Sequence, residues 1–105
     1  MKTFSERVVA IARSIPKGKV TTYGRIAKAA GGGAMSSQSI TAILGKAYDE
    51  GMIDIPFHRI VYADGRVWMS EQYRKKRLEL YKKEGIEIDE KGRIKDFYTK
   101  LYEFK

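Results

Sequence analysis

Apolar residues in the first half of the chain recur every three or four positions, the period of a helix with one buried face. Thr3 and Glu6 have the spacing of a capping box, and the helix they open should run to about Ser14. Thr22 is placed to cap a second helix, which the glycine run at 31–33 ends. Ser36 or Ser37 can cap a third helix. The pattern therefore predicts three helices, the last two joined by a glycine turn.

The second half of the chain mixes short β-prone runs with a basic helix. Residues 60–62 and 67–69 flank an Asp64-Gly65 step, which predicts a two-stranded hairpin. Residues 72–83 should form a helix rich in Lys and Arg, capped at its end by Gly85. The aromatic tail, residues 96–105, should pack on the same domain. Together these elements predict a mainly α domain with a small β wing, a winged helix-turn-helix.

Length and charge narrow the class of protein. At 105 residues the chain is one domain, residues 1–105, and its net charge of +8 suits a polyanionic partner, nucleic acid before membrane. A lysine-rich, well-solvated surface would give the same charge. With no cysteine and one histidine, we expect no metal site and no cofactor. No apolar run is long enough for a membrane span, so we expect no membrane partner and a cytoplasmic location, nucleoid-associated in a prokaryote.

Three ordered blocks carry a family resemblance: IPKGKVTTYG at 15–24, residues 55–65 with the tetrapeptide Pro56-Phe57-His58-Arg59, and the KEG step at 83–85. They resemble the C-terminal domain of the O6-alkylguanine-DNA alkyltransferases, whose active-site motif is Pro-Cys-His-Arg. Those proteins move an alkyl group from guanine onto the motif cysteine. Here Phe57 stands at that position, and a phenyl ring has no comparable lone pair with which to attack.

The resemblance therefore points to the alkyltransferase-like branch, which binds alkylated guanine without repairing it. It implies a non-enzymatic DNA-damage sensor that docks in the minor groove and flips the damaged nucleotide into a pocket. The expected partners are duplex DNA containing alkylated guanine and nucleotide excision repair proteins. We expect the protein to act as a monomer.

Residue roles follow from the same resemblance. Tyr23 matches the tyrosine that crowds the phosphate beside the target and helps rotate the base out, although it could also be a core aromatic. Phe57 should form the pocket floor. His58 and Glu84 match the relay that activates the cysteine, and without a cysteine they should form a structural hydrogen bond. The expected DNA or lesion-binding residues are Thr22, Tyr23, Gln38, Ser39, Ala42, Gly45, Lys46, Pro56, Phe57, His58, Arg59, Trp68 and Ser70.

One position departs from the family. Relatives insert an arginine from the recognition helix into the space that the flipped base leaves, and alignment on Gly45 puts Ala42 there. Gln38, one turn earlier, could serve as an uncharged wedge. This substitution puts base flipping in question. Phosphate contacts are expected from the basic residues Lys17, Lys19, Lys46, Arg74, Lys75, Lys76 and Arg77.

Two other functions stay open at this stage. A winged-helix regulator or architectural DNA-binding protein without lesion specificity would fit the missing arginine. An enzyme that uses His58 and Glu84 in another hydrolytic role is a weaker alternative, because the sequence offers no nucleophile or metal set beside them.

Overall fold

The computed structural model of the protein describes residues 3–32 and 37–103, with the backbone alone at residues 37 and 38. Three helices come first: α1 (Phe4–Arg13), α2 (Tyr23–Ala29) and α3 (Ser37–Asp49). Helices α4 (Arg74–Lys83) and α5 (Phe97–Lys100) follow in the second half. The strands are β1 (Thr21–Thr22) and β2 (Ile60–Val61), and a 3₁₀ turn at Phe57–Arg59 precedes β2. The prediction of a mainly α domain with little β structure is confirmed.

Local signals set three of the helix ends, whereas the predicted serine cap of α3 lies outside the described residues. The Thr3 hydroxyl accepts from the Glu6 N–H at 3.1 Å, and the Thr22 hydroxyl accepts from the Arg25 N–H at 3.2 Å. These caps satisfy N–H groups that lack a partner within the helix. After α4, Gly85 takes φ +72°, a conformation that favours glycine. The three capping predictions are therefore confirmed.

The first apolar cluster holds helices α1, α2 and α3 together, and the three pack on one another pairwise. Each helix contributes residues from one face, as the spacing predicted. Its buried members are Val8, Ala12, Ile15, Ile26, Ala27, Ala30, Ile40, Leu44, Ile55 and Ile60. This cluster fixes α3 relative to the first two helices, and one end of the 3₁₀ turn rests on it through the half-buried ring of Phe57.

A second cluster lies under α4 and the C-terminal segment, with buried members Val20, Val61, Val67, Tyr81, Ile86 and Ile94. The tail joins it through the backbone: the Val20 N–H donates to the Lys100 carbonyl at 2.9 Å, and the Tyr102 N–H donates to the Val20 carbonyl at 2.8 Å. Phe97 packs against the cluster, whereas Tyr98 is 84% exposed. Phe104, the last of the tail aromatics, lies outside the described residues.

The predicted hairpin is wrong in its pairing. Strand β2 pairs in parallel with β1, with Thr21 opposite Ile60 and Thr22 opposite Val61. The turn forms, since Gly65 takes φ +87° and the Tyr62 N–H donates to the Arg66 carbonyl at 2.9 Å. Residues 67–69 do not form the second strand of a hairpin, because the Val67 N–H donates to the Gly92 carbonyl of the C-terminal segment at 2.9 Å. Non-local packing thus overrides the local hairpin preference.

None of the helices in the described ranges is long and apolar enough to cross a lipid bilayer.

Candidate functional site

A buried carboxylate, Glu84, ties the 3₁₀ turn to the end of α4. Its Oε2 lies 2.6 Å from His58 Nε2 and accepts from Arg59 Nη2 at 3.0 Å, while its Oε1 accepts from Arg59 Nε at 2.9 Å. The Gly18 N–H donates to the same Oε1 at 3.2 Å. Arg59 also donates from Nη1 to the Ile15 carbonyl at 2.9 Å. The predicted histidine–glutamate hydrogen bond is present, and Arg59 adds an ion pair to the same carboxylate.

The titration of this network follows from its donors. Burial opposes ionisation of Glu84, but the hydrogen bonds from Arg59, His58 and Gly18 outweigh it and hold the pKa of the carboxyl at about 2. Burial lowers the pKa of His58 below its usual value and outweighs the opposing effect of Glu84. At neutral pH the carboxylate is therefore charged and the imidazole neutral, so the imidazole's N–H is the donor of their bond.

These shifts predict a loss of stability in acid. Both pKa values are lower in the folded protein than in the unfolded chain, so both groups stabilise the fold above their unfolded pKa values and lose that contribution as pH falls. The loss should begin below the unfolded histidine pKa of about 6.5 and steepen below about 4.3, where the unfolded glutamate titrates. Urea unfolding measured between neutral pH and pH 3 should show this decline. Glu84→Gln should flatten the part below about pH 4.3, and an unchanged slope would contradict the account.

Two clefts open on either side of Phe57. We call the first the tyrosine cleft; it has a volume of about 560 Å³ and is lined by Tyr23, Thr41, Ala42, Phe57, Tyr62, Trp68 and Arg77. We call the second the histidine cleft; it has a volume of about 620 Å³, and its lining includes Gly45, Tyr48, Pro56, His58 and Arg59. Phe57, Trp68 and Arg77 line both. Each is of the size of small-ligand pockets.

Tyr23 is brought to the tyrosine cleft by the cap of α2. Thr22 ends β1 and caps the helix, so Tyr23 is its first residue. The ring is half-buried, lies 5.8 Å from the ring of Tyr62 and hydrogen-bonds through its hydroxyl to Thr41. Burial raises the pKa of this phenol, so it stays protonated at neutral pH. The aromatic therefore lies at a cleft wall as well as against the core, which accommodates both of its predicted roles.

Phe57 occupies the partition between the clefts. Pro56 is buried before it, and the Phe57 ring packs against the first apolar cluster and lies 5.9 Å edge-on to the ring of Tyr48. The ring therefore lines both clefts and also packs on the core, and its place at the floor of a lesion pocket stays a prediction. Its role in contacting an alkyl group stays a prediction.

Helix α3 supplies one edge of the site. Ala42 is exposed and lines the tyrosine cleft, and Gly45 lines the histidine cleft. Lys46 is exposed on the same helix, and Ser39 is half-buried. The side chain of Gln38, named as a possible wedge, lies outside the described residues. At the position that the family resemblance assigns to an intercalating arginine, the structure thus presents only a methyl group.

Trp68 and Ser70 follow the Asp64-Gly65 turn, and they differ in whether they line the clefts. Trp68 lines both clefts and its side chain is 41% exposed. Ser70 lines neither cleft, and its buried hydroxyl has no hydrogen-bond partner among the described residues. The structure therefore brings Trp68 into the site and leaves Ser70 beside it.

Arg77, one of the predicted phosphate contacts, is half-buried, and its contact with phosphate stays a prediction. Its side chain turns inward between the clefts, with Cζ 5.0 Å from the centre of the Trp68 ring. Helical spacing could have predicted this orientation, because Arg77 lies one turn before the buried Tyr81 and so shares its face of α4. Lys19 is also engaged, donating to the Thr99 carbonyl at 3.0 Å. The other predicted phosphate contacts are exposed: Lys17, Lys46, Arg74, Lys75 and Lys76.

Several lining residues were not predicted as site residues from the sequence, among them Thr41, Tyr48 and Tyr62. Tyr48 falls at the helical spacing of the apolar face of α3, yet it is nearly half exposed at the histidine cleft. Tyr62 had been assigned to a strand of the hairpin. Only the tertiary pairing of β1 with β2 places it opposite Tyr23.

Comparison with known proteins identifies a family model and curated relatives that this chain matches. Residues 3–86 match the family model of the 6-O-methylguanine DNA methyltransferase DNA-binding domain. A DNA base-flipping protein of Vibrio parahaemolyticus is 33% identical over 97 residues, covering 90% of this chain and 91% of the relative. A DNA base-flipping protein of Escherichia coli is 33% identical over 92 residues, covering 88% of this chain and 69% of the relative.

Solved structures share the fold. S. pombe Atl1, in complex with damaged DNA containing O6-carboxymethylguanine, superposes with a TM-score of 0.71 at 22% identity, covering 99% of this chain and 100% of that one. S. pombe ATL in complex with DNA superposes with a TM-score of 0.69 at 26% identity and the same coverage. The predicted winged-helix architecture agrees with these neighbours.

Proposed function

This chain belongs to the family of the 6-O-methylguanine DNA methyltransferase DNA-binding domain, and on that premise we propose that it is a non-enzymatic sensor of O6-alkylguanine in duplex DNA. It binds through the minor groove, turns the damaged nucleotide into the tyrosine cleft and holds it there. The observation that carries the proposal is the placement of Phe57, at the motif position of the nucleophile and at the wall of both clefts.

The chemistry of the turn supports binding without transfer. The chain has no cysteine, and the Phe57 ring cannot displace an alkyl group. His58 and Glu84, which match the family relay, bond within a local network. Both carboxylate oxygens of Glu84 accept hydrogen bonds, from His58, Arg59 and the Gly18 N–H. His58 therefore acts in structure here, which also argues against an enzyme of another class.

The shape and composition of the tyrosine cleft support a flipped base as its occupant. A purine presents two flat π faces, and the cleft offers the rings of Tyr23, Phe57, Tyr62 and Trp68. Stacking of a base on aromatic side chains contributes about 1–3 kcal/mol for each base. This gain offsets part of the few kcal/mol that flipping costs, and that cost is lower for a poorly paired, alkylated base.

Exposed positive charge supports DNA as the partner. The chain carries a net charge of +8, and the first turn of α4 presents Arg74, Lys75 and Lys76 to solvent beside the histidine cleft. Phosphate contacts of this kind supply affinity without reading sequence. Sequence-tolerant binding suits a protein that must search for lesions.

A protein that leaves the alkyl group in place needs another system to remove it. We propose that the complex, formed by one monomer on one lesion, marks the site for nucleotide excision repair proteins. The support for this step is that the chain has no cysteine to accept the alkyl group, so the lesion would stay in the bound DNA.

Base flipping can be tested with 2-aminopurine placed beside a single O6-methylguanine, since its fluorescence rises when stacking is lost. We expect the protein to raise fluorescence with the lesion duplex and much less with the guanine duplex. Mass spectrometry after incubation should find the methyl group still on the DNA. Methylation of the protein, or an equal fluorescence response from both duplexes, would contradict the proposal.

Ala42 favours a second candidate function. The exposed methyl group at the wedge position cannot fill the gap that a flipped base leaves. A winged-helix regulator or architectural DNA-binding protein without lesion specificity would need no wedge. It would bind damaged and undamaged duplexes equally.

A further inference from the structure

Arg77 is a half-buried cation with one buried nitrogen that the fold leaves unpaired. Its Nη1 is buried from solvent and has no hydrogen-bond partner among the described residues, and no carboxylate in those ranges forms an ion pair with it. A buried charged donor without a partner is costly, and native structures contain few. We propose that this guanidinium is a binding group for an anionic substituent on the O6-alkyl chain of the lesion. This inference rests on the proposed function and names the class of lesion that the site favours.

The immediate surroundings of Arg77 do not neutralise its charge. One side of the guanidinium lies over the Trp68 ring, at 5.0 Å from Cζ to the ring centre. Another side meets the Tyr81 hydroxyl, which donates its own proton to the His58 carbonyl at 2.6 Å. Both neighbours are uncharged at neutral pH, since burial raises the pKa of Tyr81 to about 12.

The other cations near the motif are already engaged or face solvent. Arg59 donates three hydrogen bonds, two of them to Glu84. Lys76 is exposed at the rim of the histidine cleft. The acidic residues of that cleft lie at its exposed edge, and one of them, Asp54, is paired with Arg13 at 2.6 Å. An anion inside the site therefore finds its strongest partner in Arg77.

The position of Arg77 puts it in reach of an alkyl chain from either direction. It lines the tyrosine cleft, where the base is proposed to lie, and also the histidine cleft beyond Phe57. Among the described residues of the tyrosine cleft lining, Arg77 is the one charged side chain. Trp68 covers it from a segment without helix or strand and is 41% exposed, so that ring can move aside without breaking a strand pair. A carboxylate that replaced this cover would form a charge-assisted bond in a partly dehydrated site.

The test compares two nearly isosteric adducts that differ in charge. Duplexes carry one O6-carboxymethylguanine, one O6-carbamoylmethylguanine, one O6-methylguanine or guanine, and each is titrated with the full chain at one fixed salt concentration. We expect the carboxymethyl adduct to bind about tenfold more tightly than its amide. Arg77→Met should bring that ratio to about one, and Arg77→Lys should keep most of it. Lys76→Met, at the exposed neighbour, should weaken both adducts alike and leave the ratio unchanged.

The outcomes separate this inference from the proposed function. If the parent protein prefers O6-methylguanine to guanine but binds the carboxymethyl and carbamoylmethyl adducts equally, the inference is wrong and the sensor function stands. A preference that survives in Arg77→Met would also overturn the inference. Should that variant fail to fold, Arg77→Gln, which keeps a polar chain without the charge, decides the same question. Equal binding of all four duplexes would overturn the proposed function itself.

Discussion

Replacing Glu84 by alanine should lower the free energy of unfolding by about 3–5 kcal/mol, the usual cost of removing one partner of a buried ion pair. The Glu84 side chain is only 6% exposed, and it accepts hydrogen bonds from Arg59, His58 and the Gly18 N–H. Without it, the Arg59 guanidinium, which is 14% exposed, would lose both of its carboxylate bonds. Urea denaturation at neutral pH measures the change.

The matched control is Glu79→Ala, at an exposed position of the same helix. It should change the unfolding free energy by about 0.5 kcal/mol or less. If Glu84→Ala were as mild as this control, the network would not hold the motif turn to α4, and the structural role of His58 would lose its support.

Replacing Tyr23 by alanine should weaken binding of an O6-methylguanine duplex by roughly 10- to 100-fold, because the aromatic wall of the tyrosine cleft is lost. Binding of the guanine duplex should change much less, since phosphate contacts supply most of that affinity. Tyr23→Phe keeps the ring and removes the hydroxyl bonded to Thr41, so it should have an intermediate effect. Titrations of both duplexes at one salt concentration measure these differences.

Tyr98→Ala is the matched control for this prediction, because Tyr98 is 84% exposed on α5 and lines neither cleft. It should leave both affinities unchanged. An equal loss of affinity for both duplexes in Tyr23→Ala would show that the residue serves the fold or general DNA binding, rather than the lesion.

The features that the sequence predicted well are those encoded within a few residues. Thr3 and Thr22 cap their helices, and Gly85 ends α4 with a positive φ, because each depends only on neighbours along the chain. The family resemblance added the relay of His58 and Glu84, which are 26 residues apart and which no local rule would have joined.

The features that the sequence did not predict depend on distant partners. Strand β2 pairs with β1 across two intervening helices, and Val67 donates to Gly92 in place of the hairpin partner. Arg77 lies in a run of four basic residues, where composition predicts a solvated face. Only the packing of Tyr81 into the second apolar cluster turns that one arginine inward.

The most direct test of lesion sensing is a titration at fixed salt of the parent protein with two duplexes that differ only in one O6-methylguanine. Salt is held constant because the phosphate contribution falls steeply with ionic strength. We expect the lesion duplex to bind about tenfold more tightly or better, since an alkylated base costs less to flip and fills the tyrosine cleft. Equal affinity for the two duplexes would contradict this expectation, and would show that Ala42 at the wedge position has left a DNA-binding protein without lesion specificity.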